Sequence, residues 1–239
     1  MLSKNEVKYI QSLCHKKQRN ETGLFIAEGP KLAEEILASS YIIEKVYALP
    51  EWIEKNNKIN AVEITQKELN QISQLQTPNE VVLIVKQAGI GIEPILKNNF
   101  TVVLDDIQDP GNLGTIIRLC DWFGVQQIIC SNNTVELYNS KVIQSTMGSF
   151  VNVKIWYKNL IDFFNSNKNI PVWGAVLNGM NVYELVKPKE AILLIGNEGK
   201  GINNNLLSFI HKKVTIPKKG KAESLNAAVA TGILLSHLT

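Results

Sequence analysis

Most residues of this chain that could do chemistry fall in three short segments of its second half, each just past an apolar run. The first runs Asp105-Asp106-Ile107-Gln108-Asp109-Pro110-Gly111-Asn112-Leu113-Gly114-Thr115-Ile116-Ile117-Arg118. Asp-Pro-Gly-Asn is turn chemistry, and the pattern predicts a helix opening near Asn112 or Leu113. Arg118 follows Gly114 by four residues, about one helical turn, so it can point back towards the mouth of that turn. It interrupts an otherwise apolar helix of Ile116, Ile117, Leu119, Cys120, Trp122 and Phe123. A buried arginine there needs an anionic partner, whereas an exposed one forms a surface salt bridge. Asp109 and Asn112 are turn and cap residues on the simplest reading.

The second segment is Gly196-Asn197-Glu198-Gly199-Lys200-Gly201. Its glycines let backbone approach a ligand closely. The G-x-G-x-x-G spacing of dinucleotide loops is missing, as is the Lys-[Ser/Thr] ending of a P-loop. Glu198 would repel a phosphate, so the loop suits some other ligand. That argues against a nucleotide-dependent oxidoreductase or kinase. The third segment is Ile216-Pro217-Lys218-Lys219-Gly220-Lys221-Ala222-Glu223-Ser224-Leu225-Asn226, leading into a helix of small residues. Ser224 or Asn226 alone would be an N-cap. Both together, beside Glu223 and three lysines, exceed what a cap needs. The lysines fit either phosphate contacts or a solvated loop.

The elements that must position these segments follow from periodicity. Apolar runs recur at Val102–Leu104, Gln127–Cys130, Val151–Ile155, Val172–Val176, Ile192–Ile195 and Val214–Ile216, with helical patterns at Gly114–Phe123 and Leu225–Leu238. Strands alternating with helices predict an α/β domain on a parallel sheet, which holds ligands outside the carboxyl ends of its strands. The N-terminal part reads as a small α/β domain. Its helices are expected over Ser3–Lys17, Pro30–Ala38 and from Thr65 to about Gln74, the first and last opened by capping boxes. Its strands are expected at Leu24–Ala27, Ile42–Leu49 and Val81–Val85. A stretch with Gly89, Gly91 and Pro94 reads as a connection, giving domains 1–86 and 100–239 joined by a linker at 87–99.

A length of 239 residues, 45% of them apolar, suffices for a packed core. A net charge of +3 does not by itself announce nucleic-acid binding. Of 25 basic residues, however, only Arg19 and Arg118 are arginine, so both positions ask what a planar guanidinium does there. Cys14, Cys120 and Cys130, like His15, His211 and His237, are scattered. Neither a disulfide framework nor a metal site is expected, and the thiols read as reduced and buried. The start lacks the apolar core of a signal peptide, and no run approaches the roughly 18 apolar residues of a membrane span. A cytoplasmic protein with no membrane association is the expectation.

Asn112-x-Gly114-x-x-x-Arg118, Gly196-Asn197-Glu198-Gly199 with Gly201, and Ile216-Pro217 followed by Glu223-Ser224-Leu225-Asn226 resemble the three motifs of the SpoU/TrmH RNA 2′-O-methyltransferases of the SPOUT superfamily. The resemblance extends to the N-terminal part. There Lys8-x-x-x-x-Leu13-x-x-Lys16-Lys17-x-Arg19, then Gly23-Leu24-Phe25-Ile26-Ala27-Glu28-Gly29, is similar to the ribosomal-protein-type substrate-binding domain of many members. Ala227-Ala228 departs from the Val-Ser common in relatives.

The resemblance implies a trefoil knot in the C-terminal domain, a homodimer, S-adenosyl-L-methionine as cofactor and structured RNA as substrate. Ribosomal RNA of 23S type is favoured over tRNA; a non-catalytic RNA-binding assembly protein is the alternative. By motif, Gly196, Ile216 and Leu225 hold the cofactor, with Val176 assisting. Arg118 is the residue nearest the reacting 2′-hydroxyl, as base or as stabiliser, in its own protomer or across the dimer. Asn112, Ser224 and Asn226 position the ribose and the arginine, and Glu198 orients polar groups. Lys8, Lys16, Lys17 and Arg19 are expected to contact RNA phosphate.

Overall fold

A computed structural model describes residues 1–89 and 91–239; Ile90, inside the expected linker, lies outside the described residues. The chain divides into two compact units, Met1–Gly89 with Glu136–Val151, and Ile90–Val135 with Asn152–Thr239. Neither unit is a single continuous stretch, because residues 136–151 leave the second half of the sequence to pack with the first.

In the first unit the polypeptide forms α1 (Lys4–Ser12), α2 (Lys16–Thr22), β1 (Leu24–Glu28), α3 (Pro30–Leu37), β2 (Ile43–Ala48), α4 (Pro50–Lys55), β3 (Val62–Glu63), α5 (Gln66–Ile72) and β4 (Val81–Lys86). The sheet order is β1-β4-β2-β3. Both expected capping boxes are present, Ser3 with Glu6 and Thr65 with Glu68. The helix expected over Ser3–Lys17 is two helices, α1 and α2. The chain turns between them, and α2 ends at Gly23, whose φ of 66° and N–H bond to the Arg19 carbonyl make a left-handed cap. One sheet face packs Leu24, Ile26, Tyr47, Val82 and Ile84 against Ile10, Leu13, Leu69 and Ile72. Strand alternation puts Phe25 on the other face. There its ring meets Tyr138 at 4.6 Å and Phe150 at 6.0 Å between centroids. Residues 136–151 therefore cover an apolar face of this sheet.

The second unit contains β5 (Phe100–Leu104), α6 (Pro110–Trp122), β6 (Gln127–Ser131), β7 (Lys154–Lys158), α8 (Leu160–Ser166), β8 (Val172–Asn181), β9 (Ala191–Ile195), β10 (Lys212–Thr215) and α9 (Ala227–Leu238). Helix α7 (Ser140–Thr146) belongs to the first unit. All six strands are parallel, in the order β10-β8-β9-β5-β6-β7. The order reverses at β5, which is flanked by β9 and β6. That is the place where open α/β sheets bind ligands. Several boundaries differ from expectation, β8 among them, which runs on to Asn181. Val151 lies in a 3-10 turn and β7 starts at Lys154; β10 ends before Ile216. Helix α6 opens at Pro110 rather than Asn112, with Asp109 as N-cap accepting from the Asn112 N–H at 2.8 Å. Proline is suited to that first helical position because its missing donor would have no partner there.

Candidate active site at the carboxyl edge of the parallel sheet

The loops after β5, β9 and β10 bring one polar residue from each of the three segments into a single chain of hydrogen bonds. Asn226 Nδ2 donates to Asn112 Oδ1 at 2.8 Å, and Asn112 Nδ2 donates to Glu198 Oε1. Both ends fix the direction of this chain. Asn226 is the N-cap of α9, its Oδ1 accepting from the N–H groups of Ala228 and Val229 at 2.9 and 3.2 Å. Only its NH2 is left to face Asn112. Ionised Glu198 can only accept, so Asn112 must turn its NH2 that way and keep its oxygen for Asn226. The cap role and the site role of Asn226 are thus served by one side chain.

Asn197 and Asp106, unassigned from sequence, brace this network. Asn197 Oδ1 accepts from Gly199 N–H at 2.9 Å and Lys200 N–H at 3.1 Å, while its Nδ2 donates to the Asp106 carbonyl at 2.8 Å. Asp106 has φ of 58°, donates its N–H to Ser131 Oγ at 2.9 Å, and pairs with Lys200 at 3.4 Å. An asparagine two residues before a glycine is the signal that could have found this turn. Asp105 is buried, accepts from Asn203 N–H at 2.7 Å, and has its carboxyl pushed above the ordinary range by burial, then by neighbouring Asp106.

Of the assigned cofactor residues, Gly196 and Ile216 directly follow β9 and β10, Val176 lies within β8, and Leu225 immediately precedes the N-cap of α9. A Cβ on Gly196 would sit 2.3 Å from the carbonyl carbon of Gly201, so only glycine lets the two limbs of that loop close. They are bridged by reciprocal bonds between Asn197 and Gly201. Thr215 Oγ1 donates to the Leu177 carbonyl at 3.0 Å, drawing the end of β10, next to Ile216, to the segment after Val176. Leu177 and Leu225 are 70% and 45% exposed, offering aliphatic faces near these strand ends. Glycine backbone, aliphatic faces and a carboxylate suit a ligand with a flat apolar ring and a positive centre. The residues present fit S-adenosyl-L-methionine.

Three expectations need correction. Arg118 is exposed, with no hydrogen bond or ion pair among the described residues, so it is neither a buried arginine nor a salt bridge. It shares a stripe of α6 with Thr115 and Trp122, which is 82% exposed. Arg19, expected to face RNA, is 2% exposed; it donates to the carbonyls of Leu13 and Cys14 and pairs with Glu136. Buried in this way, the guanidinium presents no face to an RNA phosphate. Cys14 is exposed, unlike Cys120 and Cys130, whose thiols burial pushes up beyond the reactive range. Ser224 is exposed and outside the network, and Lys8, Lys16 and Lys17 are exposed on α1 and α2. A cleft of about 560 Å³ opens at the amino ends of the strands beside Phe100, Gln127 and Lys154 and contains none of these residues.

An all-parallel sheet with a ligand edge built from three convergent loops, joined in sequence to a smaller α/β unit, defines a two-part α/β protein with a ligand-binding edge. Residues 99–236 match the SpoU rRNA Methylase family and residues 4–83 the MRM3-like substrate binding domain. The chain belongs to the SpoU family. It is 30% identical to the 23S rRNA (guanosine(2553)-2′-O)-methyltransferase RlmP of Bacillus subtilis, over 99% of this chain and 97% of that one. Among solved structures, a TrmH-family protein from Porphyromonas gingivalis superposes with a TM-score of 0.89 at 33% identity, covering 100% of this chain and 98% of that one. An rRNA methyltransferase from Sinorhizobium meliloti, solved with AdoMet bound, gives 0.88 at 32%, covering 100% and 96%. Among the described residues no helix is long and apolar enough to cross a membrane, and no group of His, Cys, Asp or Glu is placed to hold a metal.

Proposed function

We propose that this protein transfers a methyl group from S-adenosyl-L-methionine to a ribose 2′-hydroxyl of structured RNA, with 23S-type ribosomal RNA as substrate. The observation that carries this reading is the Glu198–Asn112–Asn226 chain, which ties one residue of each family motif into one site. The names of the full-length relatives support ribosomal RNA over transfer RNA. Gly196, Ile216, Leu225 and Val176 would hold the cofactor, which supplies the electrophilic methyl group when bound. Asn112 is locked by its two partners, so its position costs nothing to organise when the ribose arrives. Glu198 holds the outer end of that lock. Ser224, exposed two residues before Asn226, would bind a ribose oxygen. Arg118, whose donors meet no partner among the described residues, would be available to a phosphate and a 2′-oxygen together. Arginine side chains stay protonated in proteins, which suits steadying an oxyanion better than removing a proton unaided.

The same reading makes residues 1–86 the RNA-binding domain, 87–99 a linker and 100–239 a knotted methyltransferase domain. It places the protein in the cytoplasm as a homodimer. The exposed stripe of Arg118 and Trp122 on α6, with Val229 52% exposed on the adjacent α9, supports pairing through those helices. Lys8, Lys16 and Lys17 supply the phosphate contacts. The test is to map 2′-O-methyl groups in rRNA and tRNA from cells with and without the protein, then reproduce the missing one with purified protein and labelled cofactor. An unchanged map, with no label transferred to 23S transcripts, refutes it.

A further inference from the structure

A second cavity, of about 240 Å³, opens at the carboxyl ends of β5, β6 and β7. No residue assigned to the cofactor or to methyl transfer lines it, yet its floor, Asp105, adjoins Asp106, whose carbonyl holds Asn197. Asp105 is 6% exposed; its Oδ2 accepts one backbone N–H, from Asn203, and its remaining lone pairs have no donor among the described residues. Around it stand Asn132, Asn133, Asn159, Asn203 and Asn205. The oxygens of Asn159 and Asn203 are used in capping Ile161 and Asn205, which leaves their NH2 groups as donors. Asn132 and Asn133 have no side-chain partner among the described residues. Leu160 and Leu206, both buried, form an apolar wall.

These features select a ligand by chemistry. A phosphate is disfavoured, because the one cation lining the cavity, Lys158, is paired with Glu93 and the floor is a carboxylate. A metal is disfavoured by having one carboxylate among amides. An apolar wall facing a rim of amide donors and an acceptor-only floor matches a planar heterocycle held by its edge, and the volume is below that of drug-sized pockets. Guanine alone among the RNA bases offers two adjacent N–H donors, N1–H and N2–H, to a carboxylate, and its O6 would take an asparagine NH2. Adenine, cytosine and uracil each set a ring nitrogen or carbonyl lone pair against the carboxylate. Flipped bases are read in this way, by their Watson–Crick edge and by stacking.

We infer that the Asp105 cavity is a guanine pocket that captures an unstacked guanine of the RNA substrate. This rests on the RNA-methyltransferase reading above and gives it a base specificity.

The test titrates the full-length protein with GMP, AMP, CMP and UMP, following asparagine side-chain amide signals by NMR. GMP should bind about tenfold or more tighter than the others, and Asp105→Asn should erase that preference, as expected for losing hydrogen bonds to a charged acceptor. Because Asp105 also holds Asn203, Asn133→Ala serves as a second variant that touches no backbone bond; it should weaken GMP several-fold. Both variants should lower kcat/KM for 23S transcripts by a similar factor with cofactor affinity unchanged. Equal shifts for all four nucleotides, or none, overturn the pocket. Loss of GMP binding with unaltered RNA methylation overturns RNA as its source. A wild-type protein that prefers GMP but methylates neither 23S transcripts nor tRNA leaves the pocket standing and removes the methyltransferase reading instead.

Discussion

Arg118→Lys and Arg118→Ala separate a catalytic arginine from a structural one, because the fold makes opposite demands on stability and on rate. Arg118 is exposed and bonds to no described residue, so its replacement leaves no buried group unsatisfied. Surface changes of this kind stay within about 0.5 kcal/mol, a melting shift of at most about 2 °C for a chain of this size. Lysine keeps the charge and loses the planar fork that could hold a phosphate and a 2′-oxygen together. A hundredfold fall in kcat/KM corresponds to about 2.7 kcal/mol of transition-state stabilisation, and we expect at least that for lysine and more for alanine. Cofactor affinity, measured by calorimetry, should change less than about threefold, a shift of roughly 0.65 kcal/mol. Mixing Arg118→Ala with Asn112→Ala then asks which protomer supplies the arginine. If it acts across a homodimer, half the dimers regain one competent site, restoring about a quarter of wild-type activity. If it acts within its own protomer, the mixture does no better than its parents. A lysine variant with near-normal turnover, or an alanine variant that melts far below wild type, refutes the assignment.

Asn112→Ala strands Glu198 and Asn226 together, so we expect a loss of about 1–3 kcal/mol in urea unfolding together with a large fall in methyl transfer; intact activity would remove the network from the mechanism. Arg19→Ala breaks a buried pair and two carbonyl bonds, costing about 3 kcal/mol in unfolding measurements, near the low end for such pairs because Glu136 is partly exposed. By contrast, alanine at Lys8, Lys16 and Lys17 together should leave melting unchanged while flattening the salt dependence of RNA binding; the opposite pattern would return Arg19 to the RNA surface. Glu68 is held at about 2 by bonds from the N–H groups of Thr65, first, and Leu2. A lowered folded-state value means its stabilisation is complete above the unfolded value near 4.5 and fades as pH falls towards about 2. Glu68→Gln should therefore melt lower than wild type at pH 7 and converge with it near pH 2; a gap that persists there would contradict this.

What the sequence determined by itself is local. Capping boxes at Ser3 and Thr65, the Asp109-Pro110 helix start, and buried strands at β5 and β9 are written in side chains within four residues of the backbone groups they satisfy. The three motif segments were legible for the same reason, since turn glycines and caps stand next to the turns they make. Tertiary structure decided burial and partnership. Apolar neighbours around Arg118 suggested a buried helix face, but α6 also exposes Trp122, so its apolar composition does not report which side is covered. A basic cluster around Arg19 suggested an RNA surface, yet Glu136, 117 positions away, closes over that guanidinium. Residues 136–151 read as part of one continuous α/β domain, but Tyr138 and Phe150 cover the Phe25 face of the other sheet. Spacing fixes which way a residue faces on its own element. What lies opposite depends on segments that only the folded chain brings there, which is why the two arginines exchange the places their sequence neighbours suggest.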